Sequence, residues 1–179
     1  MLDLYIQKIL LYYERQGLRR KPFVFTSTDR VNQAICGPRS LQIGLASYGI
    51  SIDLDKLIRF SDHTVAHGTS TVGMIHAAAR YTRPYGLSGW DIKDLQEVSG
   101  RFPVIVDYMK GSDPTDDGHY SLIESMTSTE IILMDPDCGL RTELKDTFIA
   151  NWWDIEPTGV KVEKWAMVLL PFGCDEIGE

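Results

Sequence analysis

The order of the predicted secondary structure along the chain is the feature that most restricts its fold. Up to about residue 100 the apolar side chains recur mostly at helical spacing, and beyond it they form short strand-like runs. Helices followed by antiparallel strands are typical of the α+β class, so we predict N-terminal helices packed against a C-terminal antiparallel β-sheet. A chain of 179 residues with 44% hydrophobic composition can bury one core, and we expect a single domain over 1–179.

The individual elements follow from apolar spacing, helix caps and Gly or Pro breakers. The segment 1–22 is expected to be a helix and a link, and 23–170 the core of the domain. Helices are predicted over 2–16, 36–49, 53–60, 70–80, 91–98 and 142–152, and strands over 23–25, 103–108, 119–126, 130–135 and 165–170.

The charges of the chain argue against nucleic acid as a partner. The formal net charge is −7, and acidic and basic residues are interspersed instead of forming the basic face that phosphate contacts require. The one basic cluster, Arg19, Arg20 and Lys21, is short. We interpret it as a solvated link after the first helix.

Hydropathy and cysteine content indicate the compartment. No run approaches the roughly 20 apolar residues that cross a bilayer, and the N-terminus lacks the pattern of a signal peptide, so an integral membrane protein is not expected. The cysteines are Cys36, Cys138 and Cys174. Their odd number and wide spacing fit a reducing compartment, which predicts a cytoplasmic protein.

Cys36 stands where the second helix is predicted to begin. Pro38 is tolerated only in a first turn, and Gly49 is placed to end the helix. A thiol at a helix start faces unpaired backbone N–H groups and the positive end of the helix dipole, which favour the thiolate. The position suits a nucleophile, although a small buried cysteine fits the pattern equally well.

A predicted β-hairpin brings His119 close to Asp135. If its turn is centred on Thr127, His119 lies directly opposite Asp135 on one face of the sheet. The carboxylate can then hold one imidazole nitrogen and leave the other turned toward Cys36, with Asp137 as the alternative carboxylate. A register change of one residue would put the pair on opposite faces.

Three motifs in this order resemble those of bacteriocin-processing peptidases, which cut double-glycine leaders and belong to the papain-like superfamily. They are Cys36-Gly37-Pro38 followed by Ser40-Leu41-Gln42, then Gly118-His119-Tyr120, then Met134-Asp135-Pro136. The resemblance covers roughly residues 23–170. It implies a papain-like fold with Cys36 as nucleophile, His119 as general base and Asp135 as the group that orients the imidazole.

The chain departs from this family at the oxyanion-stabilising side chain. Relatives usually carry a glutamine six residues before the nucleophile, where this chain has Arg30. Gln33 lies three residues before Cys36 and is the predicted substitute, with Asn32 as a weaker one. The backbone N–H of Cys36 would be the second donor.

Other chemistry-bearing residues have simpler interpretations. His63 and His67 lie four residues apart but lack the glutamate of a metalloprotease helix, so we interpret them as solvated loop histidines. Trp152 and Trp153 are expected in the core and at its rim, where one could shield the imidazole–carboxylate contact from water. No nucleotide-binding glycine loop occurs in the sequence, and we expect no cofactor and no metal.

We therefore predict a cysteine peptidase-like hydrolase that cleaves a peptide or other amide bond through a Cys36 thioester. Its partner would be a peptide or protein substrate, and the resemblance implies a double-glycine leader and an associated export transporter. Isopeptidase, deamidase and transferase reactions would use the same three residues. One alternative is a catalytically silent papain-like module that binds peptides or regulates a partner. Another is a metal site built from cysteine and histidine.

Overall fold

The computed structural model describes residues 3–26, 34–111 and 118–172. Its helices are α1 (Leu4–Arg15), α2 (Cys36–Ala46), α3 (Leu54–Phe60), α4 (Thr71–Ala78), α5 (Ile92–Ser99) and α6 (Lys145–Asn151). Its strands are β1 (Arg83–Leu87), β2 (Val104–Met109), β3 (Gly118–Met126), β4 (Glu130–Asp135), β5 (Gly139–Leu144), β6 (Trp153–Ile155), β7 (Lys161–Glu163) and β8 (Ala166–Leu170). The predicted α+β class is confirmed. In these ranges no helix is long and apolar enough to reach across a membrane.

Side-chain caps start four of the helices, whereas α2 and α6 start without one. Asp3, Asp53, Ser70 and Asp91 each accept a backbone N–H at the start of α1, α3, α4 and α5. A cap of this kind stabilises a helix by about 1 kcal/mol. The N-cap of α2 is Ile35, whose side chain makes no such hydrogen bond. The first turn of α2 therefore has no side-chain cap.

Six strands form one sheet in the order β1-β8-β2-β3-β4-β5, with antiparallel neighbours, and β6 pairs with β7 in a separate small sheet. Alternate side chains of each central strand enter two different hydrophobic clusters. Val106, Tyr108 and Ile123 pack with α1, α5 and α6, whereas Ile105 and Leu122 pack with α2, α3 and α4. The helices therefore cover both faces of the sheet, and the strands between them are buried.

The elements that sequence patterns missed are edge strands and short strands. β1 contains Pro84 and Gly86, and in β5 the exposed Leu140, Thr142 and Leu144 alternate with half-buried Arg141 and Glu143. β6 and β7 have three residues each. The strand predicted over 23–25 is wrong, because this segment pairs with no strand and packs on the core through Phe23, which is buried, and Phe25, which is half-buried. The helix predicted over 142–152 is shorter, because its first residues belong to β5.

The register between β3 and β4 differs from the predicted one. Ile123 pairs with Leu133, and continuing this ladder places Ser121, not His119, directly opposite Asp135. The predicted pairing is wrong by two residues, because the turn lies closer to β4 and a β-bulge adds a residue to β3. A shift of two residues keeps His119 and Asp135 on the same face, where they are diagonal neighbours.

The β-bulge at Glu124 determines whether His119 and Asp135 point to the same face of the sheet. Between the turn and the bulge, the pairing of β3 with β4 is offset by one residue from the pairing beyond the bulge. If this pairing continued along the whole of β3, Leu122 would lie opposite Asp135. Leu122 and His119 point to opposite faces of β3. The extra residue therefore brings the imidazole and the carboxylate to one face.

The prediction of a solvated basic link after α1 is wrong for one of its three residues. Arg19 and Lys21 are exposed, but the side chain of Arg20 is only 6% exposed. Its Nη1 lies 3.3 Å from Oε2 of Glu124, at the bulge in β3. The link is thus packed on the sheet through one buried guanidinium.

Candidate active site

The start of α2 and the start of β3 meet at one end of the sheet. Cys36 packs on the face covered by α2, α3 and α4, whereas His119 lies beside Tyr108 on the face covered by α1. Both side chains line one cavity of about 520 Å³, whose other walls are 65–69 and 154–157. Groups from opposite faces can meet here because the strand begins at this point.

Local backbone geometry holds Cys36 at the mouth of this cavity. Ala34 has a φ of 52°, a conformation that is uncommon for a residue with a side chain and recurs at functional sites. A side chain in place of Gly37 would come within 2.9 Å of Met74 Sδ and 3.2 Å of the Tyr120 ring. The glycine therefore lets the first turn of α2 pack closely on β3, with the thiol at the helix start.

His119 and Asp135 form a buried ion pair. They are 6% and 0% exposed, and Nε2 of the imidazole lies 3.2 Å from Oδ2 of the carboxylate. The pair does not meet the geometry of a hydrogen bond, so the attraction is mainly electrostatic. The sequence had singled out both residues, and the structure brings them together despite the different register.

Tyr108 covers His119, a role that sequence patterns did not assign to it. Its ring packs edge-on against the imidazole with 5.8 Å between centroids, and its hydroxyl lies 3.1 Å from Oγ of Ser121. The shielding expected of a tryptophan therefore falls to Tyr108. Trp152 is buried in the core, and Trp153 packs against Lys161.

The environment of His119 favours its protonated form. Burial lowers the pKa of His119, but Asp135 and Cys36 outweigh burial and raise it to about 9 from an ordinary 6.5. Cys36 acts both as a hydrogen-bonding partner and through its charge. The imidazole is thus a cation at neutral pH, held by the negative charge of the carboxylate and by the sulfur.

Several donors surround the carboxylate of Asp135. Lys110 Nζ lies 3.0 Å and Arg141 Nη1 3.7 Å from Oδ2, and the backbone N–H of Asp137 donates to Oδ1 at 2.8 Å. Burial raises the pKa of Asp135, but His119, Asp137 and Lys110 outweigh it and hold this pKa well below its usual range. The carboxylate is therefore ionised at neutral pH.

The strand β6 lies against the start of β3 at the cavity. A side chain in place of Gly118 would collide with the carboxylate of Asp154. Only glycine allows this approach, which explains the residue before His119. Asp154, Ile155 and Pro157 then form one wall of the cavity.

Asp107 is a buried acid near the thiol that sequence patterns did not single out. It is 1% exposed, and burial, with the negative charges of Asp154, Cys36 and Glu156, raises its pKa well above the ordinary value. These effects favour the neutral acid, which adds no second negative charge beside the sulfur. A single carboxylate in the apolar run 103–108 was the available signal.

One group of side chains in the described ranges could hold a metal ion. Ligand atoms of His119, Asp135 and Asp137 lie within 4.8 Å of one another. The ammonium of Lys110 lies 3.0 Å from Asp135 and 3.6 Å from Asp137, so a cation already neutralises these carboxylates. The group does not include Cys36, in contrast to the metal site of cysteine and histidine considered above.

The remaining candidate residues have different outcomes. Gln33 and its alternatives lie outside the described residues, so its role in the oxyanion hole stays a prediction. His63 is not a free loop histidine, because Nδ1 lies 3.0 Å from Oγ1 of Thr69. His67 is exposed and lines the cavity that contains Cys36.

Comparison with protein families gives one match over most of the chain. The model described as the Peptidase C39 family matches residues 25–156, a range that contains Cys36, His119 and Asp135. No curated protein matches the chain.

Solved structures share the fold at low sequence identity. The peptidase domain of Streptococcus ComA, described as a bi-functional ABC transporter involved in a quorum-sensing pathway, has a TM-score of 0.59 and 24% identity, covering 84% of this chain and 98% of that chain. A double glycine motif protease from an AMS/PCAT transporter, in complex with the leader peptide, has a TM-score of 0.63 and 16% identity, covering 86% of this chain and 94% of that chain. A C39-like peptidase from Bacillus anthracis has a TM-score of 0.61 and 16% identity, covering 83% of this chain and 94% of that chain. These likenesses confirm the predicted papain-like fold.

Proposed function

Because the chain belongs to the peptidase C39 family of cysteine peptidases, we propose that Cys36 is its nucleophile, His119 its general base and Asp135 the carboxylate that orients the imidazole. The observation that carries this proposal is the position of the His119 imidazole. It is buried between a carboxylate and the thiol of a cavity-lining cysteine. Such a set activates a nucleophile without a cofactor.

Catalysis begins from an ion pair between the Cys36 thiolate and the His119 imidazolium. The sulfur attacks the carbonyl carbon of the scissile bond, and negative charge develops on the carbonyl oxygen. The uncapped start of α2 supplies backbone N–H groups at this point, because Ile35 offers no side-chain acceptor. Gln33 is the proposed side-chain donor to the same oxygen.

The imidazolium then passes its proton to the leaving amine, and the acyl group stays on Cys36 as a thioester. Neutral His119 next takes a proton from water, whose oxygen attacks the thioester and releases the acid product. Asp135 stays ionised and holds Nε2, which leaves Nδ1 for proton transfer. The donors around Asp135 keep its charge in place through both steps.

The substrate that we propose is a peptide with two glycines before the scissile bond. The related transporter protease is described as a double glycine motif protease and was solved with a leader peptide. In this chain the cavity extends from Cys36 along the exposed apolar side chains Val65 and Ile155, which can receive apolar side chains of a peptide. The transporter partner suggested by the resemblance is likewise part of this proposal.

Cleavage of a peptide library tests the proposal. We expect hydrolysis after paired glycines by the wild-type chain and none by Cys36→Ala, with products assigned by mass spectrometry. Cys138→Ala is the matched control, because it removes an exposed thiol beside Asp135 and leaves the proposed nucleophile in place. Cleavage that persists in Cys36→Ala would contradict the assignment of the nucleophile. A folded wild type that binds these peptides without cleaving them would favour the silent module.

A further inference from the structure

The bulge in β3 changes which side chains of the strand point to the same face of the sheet. Ile123 and Met126 contact the same hydrophobic cluster, although residues three apart in a regular strand point to opposite faces. The extra residue, Glu124, accounts for this difference. Such a bulge interrupts the ladder and leaves backbone groups that need other partners.

The guanidinium of Arg20 supplies those partners. Its Nη2 donates to Glu124 O at 2.5 Å and to Ile123 O at 3.4 Å, the two carbonyls at the bulge. Nη1 donates to Glu124 Oε2 and to Lys21 O, both at 3.3 Å, and Nε donates to Ser99 O at 3.1 Å. All five N–H donors of the guanidinium therefore have an acceptor.

Arg20 is itself held firmly in this position. Its guanidinium lies 4.0 Å from the centroid of the Phe23 ring, and its backbone N–H donates to Arg101 O at 3.1 Å. A lysine could keep the charge, but its three N–H donors lie on a single nitrogen atom. That nitrogen cannot reach the carbonyls that the separate nitrogens of the guanidinium contact. The geometry is therefore specific for arginine.

We infer that Arg20 is a positioning residue for catalysis, because it holds the β3 bulge that places His119 and Asp135 on one face of the sheet. This role depends on the functions proposed above for His119 and Asp135. We call the hydrogen bonds from the Arg20 guanidinium to Ile123 and Glu124 the clamp. Arg20 lies before residue 25, where the match to the family begins, so the clamp comes from a segment outside that match.

Loss of the clamp would affect the active site by changing the register between β3 and β4. Without Arg20 the carbonyls at Ile123 and Glu124 lose their donors, and the bulge can move along β3 or disappear. Either change displaces Asp135 relative to His119. A displacement of about 1 Å at a catalytic group can cost about 100-fold in rate.

The first test compares Arg20→Gln with Arg101→Gln in the full chain. The side chain of Arg101 contacts Glu14 of α1 at 3.5 Å, so Arg101→Gln is the matched control for the loss of an arginine that tethers α1. With the double-glycine peptide, Arg20→Gln should lower kcat by about tenfold or more and leave KM within about twofold. The imidazole signals of His119 in the proton–nitrogen spectrum should shift. Arg101→Gln should change neither readout.

The second test removes the residue that Arg20 is proposed to hold. Deletion of Glu124 would join the pairs Ile123–Leu133 and Ser125–Ile132 into a regular ladder. In this background Arg20→Gln should lower kcat by less than about twofold. An equally large loss in both backgrounds would overturn the inference, because Arg20 would then act independently of the bulge.

The remaining outcomes are also decisive. If Arg20→Gln lowers the melting temperature but leaves kcat and the His119 signals unchanged, Arg20 is only a tether and the inference fails. If Arg20→Gln does not fold, the same criteria apply to Arg20→Lys. If the wild type cleaves no peptide, the proposed function fails, and the His119 signals alone decide the role of Arg20.

Discussion

The two halves of the proposed catalytic set are positioned in different ways. Cys36 depends on its neighbours in the chain, since a tight first turn at Gly37 and Pro38 presents the thiol at the start of α2. His119 and Asp135 depend on the register of two strands, which a single bulged residue sets. A site can thus combine a locally determined nucleophile with a base whose geometry is decided far from it.

This difference predicts the kind of damage that substitutions cause on each side. Changes at Cys36 should remove the chemistry and leave the fold intact, because the sulfur itself reacts. Changes around His119 and Asp135 should alter rate, titration and stability together, because the same ion pair serves all three.

Removal of the nucleophile should have the largest effect. Cys36→Ala should lower kcat by at least about 1000-fold, because the proposed thioester forms on this sulfur. The free energy of unfolding should change little, since Cys36 is only partly buried. Turnover of the double-glycine peptide and urea unfolding measure the two quantities. If the free energy of unfolding fell by as much as the activation free energy rose, the contrast between the two halves would be contradicted.

The ion pair should make stability depend on pH. The pKa of His119 is about 9 in the folded chain and 6.5 ordinarily, so its stabilisation is complete below about pH 6.5 and is lost as pH rises through 9. The free energy of unfolding should fall by up to about 3 kcal/mol over this window. In His119→Gln this part of the fall should be absent. Urea unfolding of both chains at several pH values gives the difference.

Neutralising the carboxylate should lower the rate and keep the nucleophile. Asp135→Asn should reduce kcat by about 100-fold, because the imidazole loses the charge that stabilises its protonated form. The pKa of His119 should move down toward its ordinary value, which titration of the ring signals reports. Asp137→Asn is the matched control, and a larger loss there would identify Asp137 as the orienting carboxylate.

The contact that joins the two halves should have the smallest effect. Ser40 on α2 donates its hydroxyl to Tyr120 O at 3.1 Å, next to His119 on β3. Ser40→Ala should lower the free energy of unfolding by about 1 kcal/mol and change kcat by less than about threefold. Thermal unfolding and peptide turnover measure both. A rate loss above tenfold would show that this link, more than the bulge, positions His119.

What the sequence reveals follows the same division. The helix start at Cys36 was predicted because Pro38 and the apolar spacing after it are local signals. The hairpin that carries His119 and Asp135 was also predicted, from strand-like runs around a polar turn. Its register was not, because neither the position of the turn nor the bulge in β3 has a signal in the apolar pattern of the two strands.

Other features were hidden because their signals are weak in any single segment. The edge strand β1 contains Pro84 and Gly86, which usually break strands. In the sequence Tyr108 only ends an apolar run, since its contact with His119 depends on the pairing of β2 with β3. Such contacts arise from tertiary packing, so periodicity and spacing do not report them.

Alkylation of Cys36 tests the central claim most directly. In a chain carrying Cys138→Ala and Cys174→Ala, Cys36 is the one remaining thiol, and its rate of reaction with iodoacetamide can be followed by mass spectrometry. At about pH 6 we predict a rate at least about tenfold higher than in the same chain with His119→Gln, because the imidazolium favours the thiolate. Equal rates in the two chains would contradict the proposed pairing of Cys36 with His119.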